Sequence, residues 1–317
     1  INKGNWIFED NTIKANLTGG QNWTAGAPLV DIDGDGDLDI YACNYGTPNQ
    51  LFINDGKGLF VDKAQQFGLD INGAILNAAF ADYDNDGDLD AYLLGHRFYR
   101  NGGKPEKPPT VLKNGTYQVL PNFSKYFQVN LNSTNGFKLD TAGSRDYLMI
   151  NDNGVFRDVT IEAGINSKPW QGNSVTWWDF NNDGALDIFV ASYEIPDGTD
   201  SVAKSYLGLP FKAETLCLYQ GNGKGGFIEV SRDQNLALLS MPMGSNFGDL
   251  DNDGFPDFYL GTGYPNYEAL MPNLMYHNQR GNSFANVTTA GGFGHLQKGH
   301  AVVFCDLDND GDQDVFE

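Results

Sequence analysis

The chain has 317 residues and a formal net charge of −21, with 41 acidic residues against 20 basic ones. That balance excludes a nucleic-acid binder, which needs a basic face, and no apolar run approaches the roughly 20 residues of a membrane span. Three cysteines, Cys43, Cys217 and Cys305, are too few for a disulfide framework and sit in or beside apolar runs, as buried free thiols do. The 39 glycines and 13% aromatic content suit many short strands joined by tight turns.

In chain order, Asn5 to Asp10 reads as an outer strand without its own sheet. No signal peptide is visible at Ile1, so the sequence reads as a mature product or a fragment. Asp31-Ile32-Asp33-Gly34-Asp35-Gly36-Asp37-Leu38-Asp39 follows, five carboxylates alternating along nine residues. Left alone they repel one another. A hard cation relieves this, because it takes several oxygens converging at about 2.3–2.6 Å. The expected ligands are the side chains of Asp31, Asp33, Asp35 and Asp39 and the backbone carbonyl of Asp37.

The loop recurs four times, starting at residues 82, 179, 249 and 306. The second copy offers Asp82, Asp84, Asp86 and Asp90 with the carbonyl of Asp88. The third offers Asp179, Asn181, Asp183 and Asp187 with the carbonyl of Ala185. The fourth offers Asp249, Asp251, Asp253 and Asp257 with the carbonyl of Phe255. The fifth offers Asp306, Asp308, Asp310 and Asp314 with the carbonyl of Asp312. The sixth position is always Gly and the fourth is Gly or Asn, the residues most tolerant of positive φ. The five loops contain 22 of the 41 acidic residues, so about five bound Ca²⁺ would halve the net charge. The third loop, with the fewest carboxylates, is expected to bind most weakly. Asp306 to Glu317 also satisfies the EF-hand pattern. Its flanks are β-branched and aromatic runs such as Val302-Val303-Phe304, which read as strands and not helices.

Each loop is followed by an apolar run, and after the first four comes a strand–turn–strand signature such as Leu51 to Asp62 or Leu148 to Asp158. The unit is strand, acidic loop, strand, connection, strand, Gly turn, strand. Four-stranded units repeating on this scale predict an all-β fold, a β-propeller of antiparallel blades spanning residues 1–317 as a single domain. The uneven spacing places insertions between second and third strands, at 95–145 in the second repeat and at about 192–214 and 261–273. The chain ends leave two outcomes: their pieces complete one blade across a closure, giving five, or the chain is part of a longer propeller.

Phe80 to Asp90, together with runs such as Asn153 to Thr160, resembles the FG-GAP/VCBS repeat. Ala163-Gly164-Ile165 after Asp158-Val159-Thr160 is similar to the cartilage-acidic-protein-like (CRTAC/ASPIC) group. The resemblance implies an integrin-α-like propeller, usually seven-bladed, extracellular and calcium-binding. About five units are visible here.

Signatures of catalysis are thin: the sequence holds no HExxH, GxSxG or GxxxxGK[ST]. The expected function is a calcium-stabilised binding, adhesion or assembly module, extracellular or at the cell surface. The rival is a calcium-dependent polysaccharide lyase or hydrolase, which needs a base in a basic cleft, and the Lys and Arg read as scattered. In a four-stranded blade, the acidic loops and Gly turns share one face and the insertions share the other. Loops on a rigid scaffold are where binding concentrates, and Trp, Tyr and Arg are the usual anchors. The expected docking residues for a protein or glycan are therefore Trp23, Tyr45, His96, Arg97, Trp170, Tyr193, Tyr264, Tyr267 and His300 on the insertion face.

Overall fold

The computed structural model describes residues 1–103, 105–130, 138–166, 169–193, 199–211, 213–263 and 271–317. Each blade follows the predicted order. The first is built from Leu29–Val30, Asp39–Pro48, Gln50–Asn54 and Phe60–Asp62, and the second from Asn72–Ala81, Asp90–Gly95, Tyr147–Asp152 and Val155–Asp158. The third uses Gly172–Trp178, Asp187–Ser192, Cys217–Gly221 and Phe227–Glu229. The fourth uses Pro242–Gly248, Asp257–Thr262, Leu274–Asn278 and Phe284–Asn286. Val303–Cys305 and Asp314–Phe316 pair as the first two strands of a fifth. All pairings are antiparallel.

The second strands of blades two to four are buried at every residue. They read as continuous apolar runs, not alternations, because a neighbouring blade covers each side. The cores accordingly lie between blades. Tyr41, Leu51 and Phe67 of the first meet Ala78, Leu93 and Met149 of the second. Tyr83, Tyr92 and Leu148 meet Val175, Val190 and Tyr219 of the third. Trp178 of the third touches Phe247 of the fourth at a ring distance of 4.4 Å and stacks on Phe284 at 5.7 Å. The Ala163-Gly164-Ile165 turn has a packing role. Gly164 sits at φ 85°, and a Cβ there would lie 2.5 Å from the Phe227 carbonyl of the next blade. Ala163 O accepts the Phe227 N–H at 2.8 Å.

The first blade departs from the others. Its second and third strands are separated only by Asn49, so Asp39–Pro48 runs long and pairs Tyr45 with Ala74 and Pro48 with Asn72. This fuses the first two blades into one sheet. The insertion in the second blade carries hairpins Thr110–Lys113/Thr116–Val119 and Phe127–Asn130/Lys138–Thr141. Asp146 closes its base: one carboxylate oxygen accepts the Gly95 N–H and the other the Tyr92 hydroxyl, both at 2.7 Å.

The N-terminal expectation fails. Asn5 to Asp10 is not an outer strand: Asn5 and Trp6 take φ of 51° and 62°, Lys3 N–H reaches Ile7 O at 2.8 Å, and only an isolated Asn2–Phe8 bridge forms. Two positive-φ residues in a row turn the chain back and end any extended run. Helix is present but short, at Ala64–Phe67 and Thr199–Tyr206.

Two outcomes check this packing. Trp178→Ala should cost about 3–5 kcal/mol in denaturant unfolding; a loss below about 1 kcal/mol would contradict an aromatic core between the third and fourth blades. Asp146 is fully buried, and burial, outweighing its hydrogen bonds, pushes its carboxyl up to about 7. A folded value above the unfolded one means that stability present below the unfolded value is lost as pH rises through the folded value. Asp146→Asn should therefore gain stability relative to wild type as pH rises from about 4 to about 7. A pH-independent difference between the two melting curves would refute it.

Candidate cation sites and a candidate docking face

The five acidic loops share one backbone plan. The fourth position has positive φ in every copy: Gly34 71°, Asn85 62°, Asn182 56°, Asn252 56° and Asn309 60°. The sixth-position glycines run from 84° to 100°. These turns fold the loop around its first carboxylate. Asp31 accepts the N–H groups of Asp35 and Gly36, both at 3.1 Å. Asp82, Asp179, Asp249 and Asp306 repeat the arrangement with their own fifth and sixth residues.

The ninth-position aspartate has a second role that the spacing alone does not reveal. In the first four loops one of its oxygens accepts the N–H of the second loop residue. The other accepts an N–H at the end of the third strand: Asp39 from Asn54, Asp90 from Asn151 and Asp187 from Gly221 at 2.8 Å, and Asp257 from Asn278 at 2.7 Å. Asn54, Asn151 and Asn278 also donate their amides to the eighth-residue carbonyls of Leu38, Leu89 and Pro256. The signal for these was present as the Asn of each hairpin turn. Burial comes first among the causes that push Asp90 and Asp187 up to about 7, and Asp39 and Asp257 are raised for the same leading reason.

The loop carboxylates, including those that accept backbone N–H groups, can also hold a cation. Three oxygens lie within 4.8 Å of one another in each of four sets: Asp31, Asp33 and Asp39; Asp82, Asp84 and Asp86; Asp249, Asp251 and Asp253; Asp306, Asp308 and Asp314. Asp84 Oδ1 and Asp37 Oδ1 are buried acceptors with no hydrogen-bond donor. A buried anionic oxygen without a donor is costly, and a cation satisfies it. Oxygen-only donors at this spacing suit Ca²⁺. The third loop differs: Asp183 faces the Asn181 amide at 2.9 Å and the Gln220 amide at 3.4 Å. In the fourth, His277 lies 2.9 Å from Asp251 and Arg280 lies 3.4 Å from Asp253. The loops also touch one another, Asn182 donating to Gly254 O at 2.8 Å and Asn252 to Asp312 at 3.1 Å.

The predicted docking residues separate into groups. Trp23 and Tyr45 meet at 5.4 Å, and Tyr45 meets His96 at 6.3 Å. Tyr99, which the sequence reading missed, joins them: it lies 5.4 Å from Trp23 and 5.6 Å from Tyr45, and Arg97 sits over its ring at 5.1 Å. The backbone builds this group: Tyr45 N–H bonds Trp23 O at 3.0 Å, and the His96 N–H bonds Ala74 O at 2.8 Å. Trp23 is 57% exposed and Tyr99 40%, so their rings face solvent. Two residues expected in the docking set are structural. His96 is buried with Nδ1 2.9 Å from Gly172 O, and burial, with Arg97 adding to it, lowers it to about 4, so it is neutral at physiological pH. Tyr193 packs beside Leu239, Met241 and Met271 and bonds Gly263 O at 3.0 Å. His300 is exposed in the connection before the fifth unit, and Trp170 lies in a two-residue strand paired with Ser144–Arg145. Tyr264 and Tyr267 lie outside the described residues.

The two sites sit at opposite ends of the same strands. Asp39 opens its strand at the loop end and Tyr45 lies six residues on, about 20 Å at strand rise. The first two loops share a hollow with the Asn153–Gly154 turn, as expected when loops and Gly turns share a face.

Residues 31–93 match the FG-GAP-like repeat family. A comparison with curated proteins finds no match. Among solved structures, the exotype rhamnogalacturonan lyase YesX aligns at 14% identity and TM-score 0.43, over 92% of this chain and 44% of that one. BBS1N in complex with ARL6DN aligns at 10% identity and TM-score 0.34, over 92% of this chain and 75% of that one. The V. cholerae biofilm matrix protein Bap1 aligns at 14% identity and TM-score 0.30, over 83% of this chain and 39% of that one. The chain thus spans less than half the length of the lyase and of the matrix protein. The family match is to residues 31–93, and the loop-and-strand plan of that stretch recurs along the chain, which is an all-β propeller of antiparallel blades.

Proposed function

We propose that this protein is a calcium-stabilised propeller that acts outside the cytoplasm as a non-catalytic binding, adhesion or assembly module. The observation that carries the reading is the pair of solvent-facing rings Trp23 and Tyr99, joined by the half-buried Tyr45, at the end of the strands remote from the acidic loops. An aromatic group held by backbone pairing on a rigid sheet is an interface anchor with little entropy left to lose. The perturbed carboxyls Asp90, Asp146 and Asp187 are enclosed by strand backbone, which suits structural ties more than acid–base work on a polymer. The acidic loops take Ca²⁺, about five ions in all. If these loops bind at about 10⁻⁴–10⁻³ M, as other extracellular calcium modules do, they fill in millimolar calcium and stay empty in cytosol. Such sites would match the proposed secreted or surface location.

The reading is checked by incubating the calcium-loaded chain with a panel of glycans and extracellular proteins. Binding is expected to weaken with Trp23→Ala and to leave the polymer intact. New reducing ends or unsaturated uronate ends would replace this reading with the lyase or hydrolase one. Binding that survives Trp23→Ala but is lost on changing residues around the Gly56 and Gly154 turns would put the partner on the wrong face. For the third loop, Asn181→Asp should tighten calcium binding roughly tenfold in a calorimetric titration. An unchanged third-site affinity would contradict the assignment of Asn181 as a ligand.

A further inference from the structure

The charge of this chain is divided between its two ends. Seven of its 20 basic residues fall between Gly95 and Leu139, against one acidic residue, Glu106. This segment is net positive in a chain of net charge −21. Along the sequence the Lys and Arg read as scattered; in space several converge. Arg97 lies over Tyr99 at 5.1 Å, Lys125 over Phe98 at 5.3 Å and Arg100 over Phe123 at 5.2 Å. Lys125 Nζ also reaches over Gly46, the neighbour of Tyr45, so close that a Cβ there would meet it at 3.2 Å. Arg97 and Lys125 therefore flank the Trp23–Tyr45–Tyr99 group. Among the described residues no carboxylate pairs with Arg97, Arg100 or Lys125. In so acidic a chain, unpaired cations gathered beside exposed rings mark a surface built for an anion.

We propose that this surface binds an anionic polysaccharide, a chain bearing uronate or sulfate groups. This deepens the binding-module reading and rests on it. The broad face of Trp23, with the uncovered part of Tyr99 beside it, takes the C–H face of a sugar ring, a contact that is apolar and weakly electrostatic. Arg97 lies over Tyr99 and Lys125 stands beside Gly46, so both cations border the exposed Trp23 plate. A sugar stacked on a plate then presents its equatorial carboxylate or sulfate to Arg97 or Lys125, and guanidinium binds such oxygens in bidentate fashion. A single acidic side chain of a peptide would satisfy the cations but leave the plates uncovered. The acidic loops, about 20 Å away along the strands, lie beyond the roughly 8 Å reach of unscreened charge at physiological salt. They repel the polymer from the far face without opposing it here.

The test uses the calcium-loaded chain in equilibrium binding to polygalacturonate and chondroitin sulfate, with dextran and poly-L-glutamate as controls. The anionic polysaccharides are expected to bind, more weakly as salt rises. Arg97→Gln with Lys125→Gln, and separately Trp23→Ala, should each weaken binding about tenfold or more with melting temperatures unchanged. Poly-L-glutamate binding equally well would replace the glycan with an acidic protein segment. Dextran binding equally well, or folded variants that bind as wild type, would overturn the proposal. In those cases, binding of a neutral glycan or a protein that still depends on Trp23 leaves the module reading standing. Turnover of the bound polymer would instead sink the module reading while keeping this surface.

Discussion

The structure depends on a buried aspartate that ties three pieces of chain together. In each of the first four units the ninth-position carboxylate is at most 1% exposed and accepts one N–H from its own loop and one from the end of the third strand. In the second unit that bond joins Asp90 to Asn151 across 61 residues, holding the blade together over its long insertion. A buried carboxylate is expensive, and two backbone donors do not fully compensate it. The cost is lowered further if a divalent cation shares the same oxygens. Loop, blade closure and cation demand are thus one arrangement. The fifth loop shows the other half of the argument: without a third strand among the described residues, Asp314 keeps only the Leu307 N–H and is exposed.

This arrangement also explains how the molecule divides its labour. Just over half of the acidic side chains, 22 of 41, lie in the loops between first and second strands, where they form the ties. Insertions are confined to the opposite ends, where no tie constrains them. The second strands, buried throughout in blades two to four, keep the two ends apart at a set distance. Loop length on the insertion side can grow from the single residue Asn49 to the span 95–145 without moving an acidic loop. Function placed there can change while the scaffold remains.

Much of this was legible from residue type. Gly or Asn at the fourth loop position and Gly at the sixth could be read directly as positive φ, because few other residues go there at low cost. The strand order and the sites of insertion followed from loop spacing and the Asn/Gly turns. What was not legible depended on long-range approach. His96 looked like a surface residue beside Arg97, yet the chain carries it against Gly172 of the next blade. Asn5 to Asp10 had strand-like composition but its backbone turns back at Asn5 and Trp6. The sequence shows a basic segment at 95–139 but not its placement: folding lays Lys125 over Phe98 and beside Gly46, and Arg97 over Tyr99. Tyr99 was passed over for the same reason: nothing local marks it as the neighbour of Trp23.

The central claim is that the acidic loops are cation-dependent ties, and calorimetric unfolding in calcium and in EDTA tests it most directly. A free cation concentration about tenfold above the dissociation constant contributes about 1.4 kcal/mol per site. Several sites together should raise the melting temperature by about 10 °C, with the transition in EDTA broader and lower. An unchanged melting temperature on chelation would contradict the account.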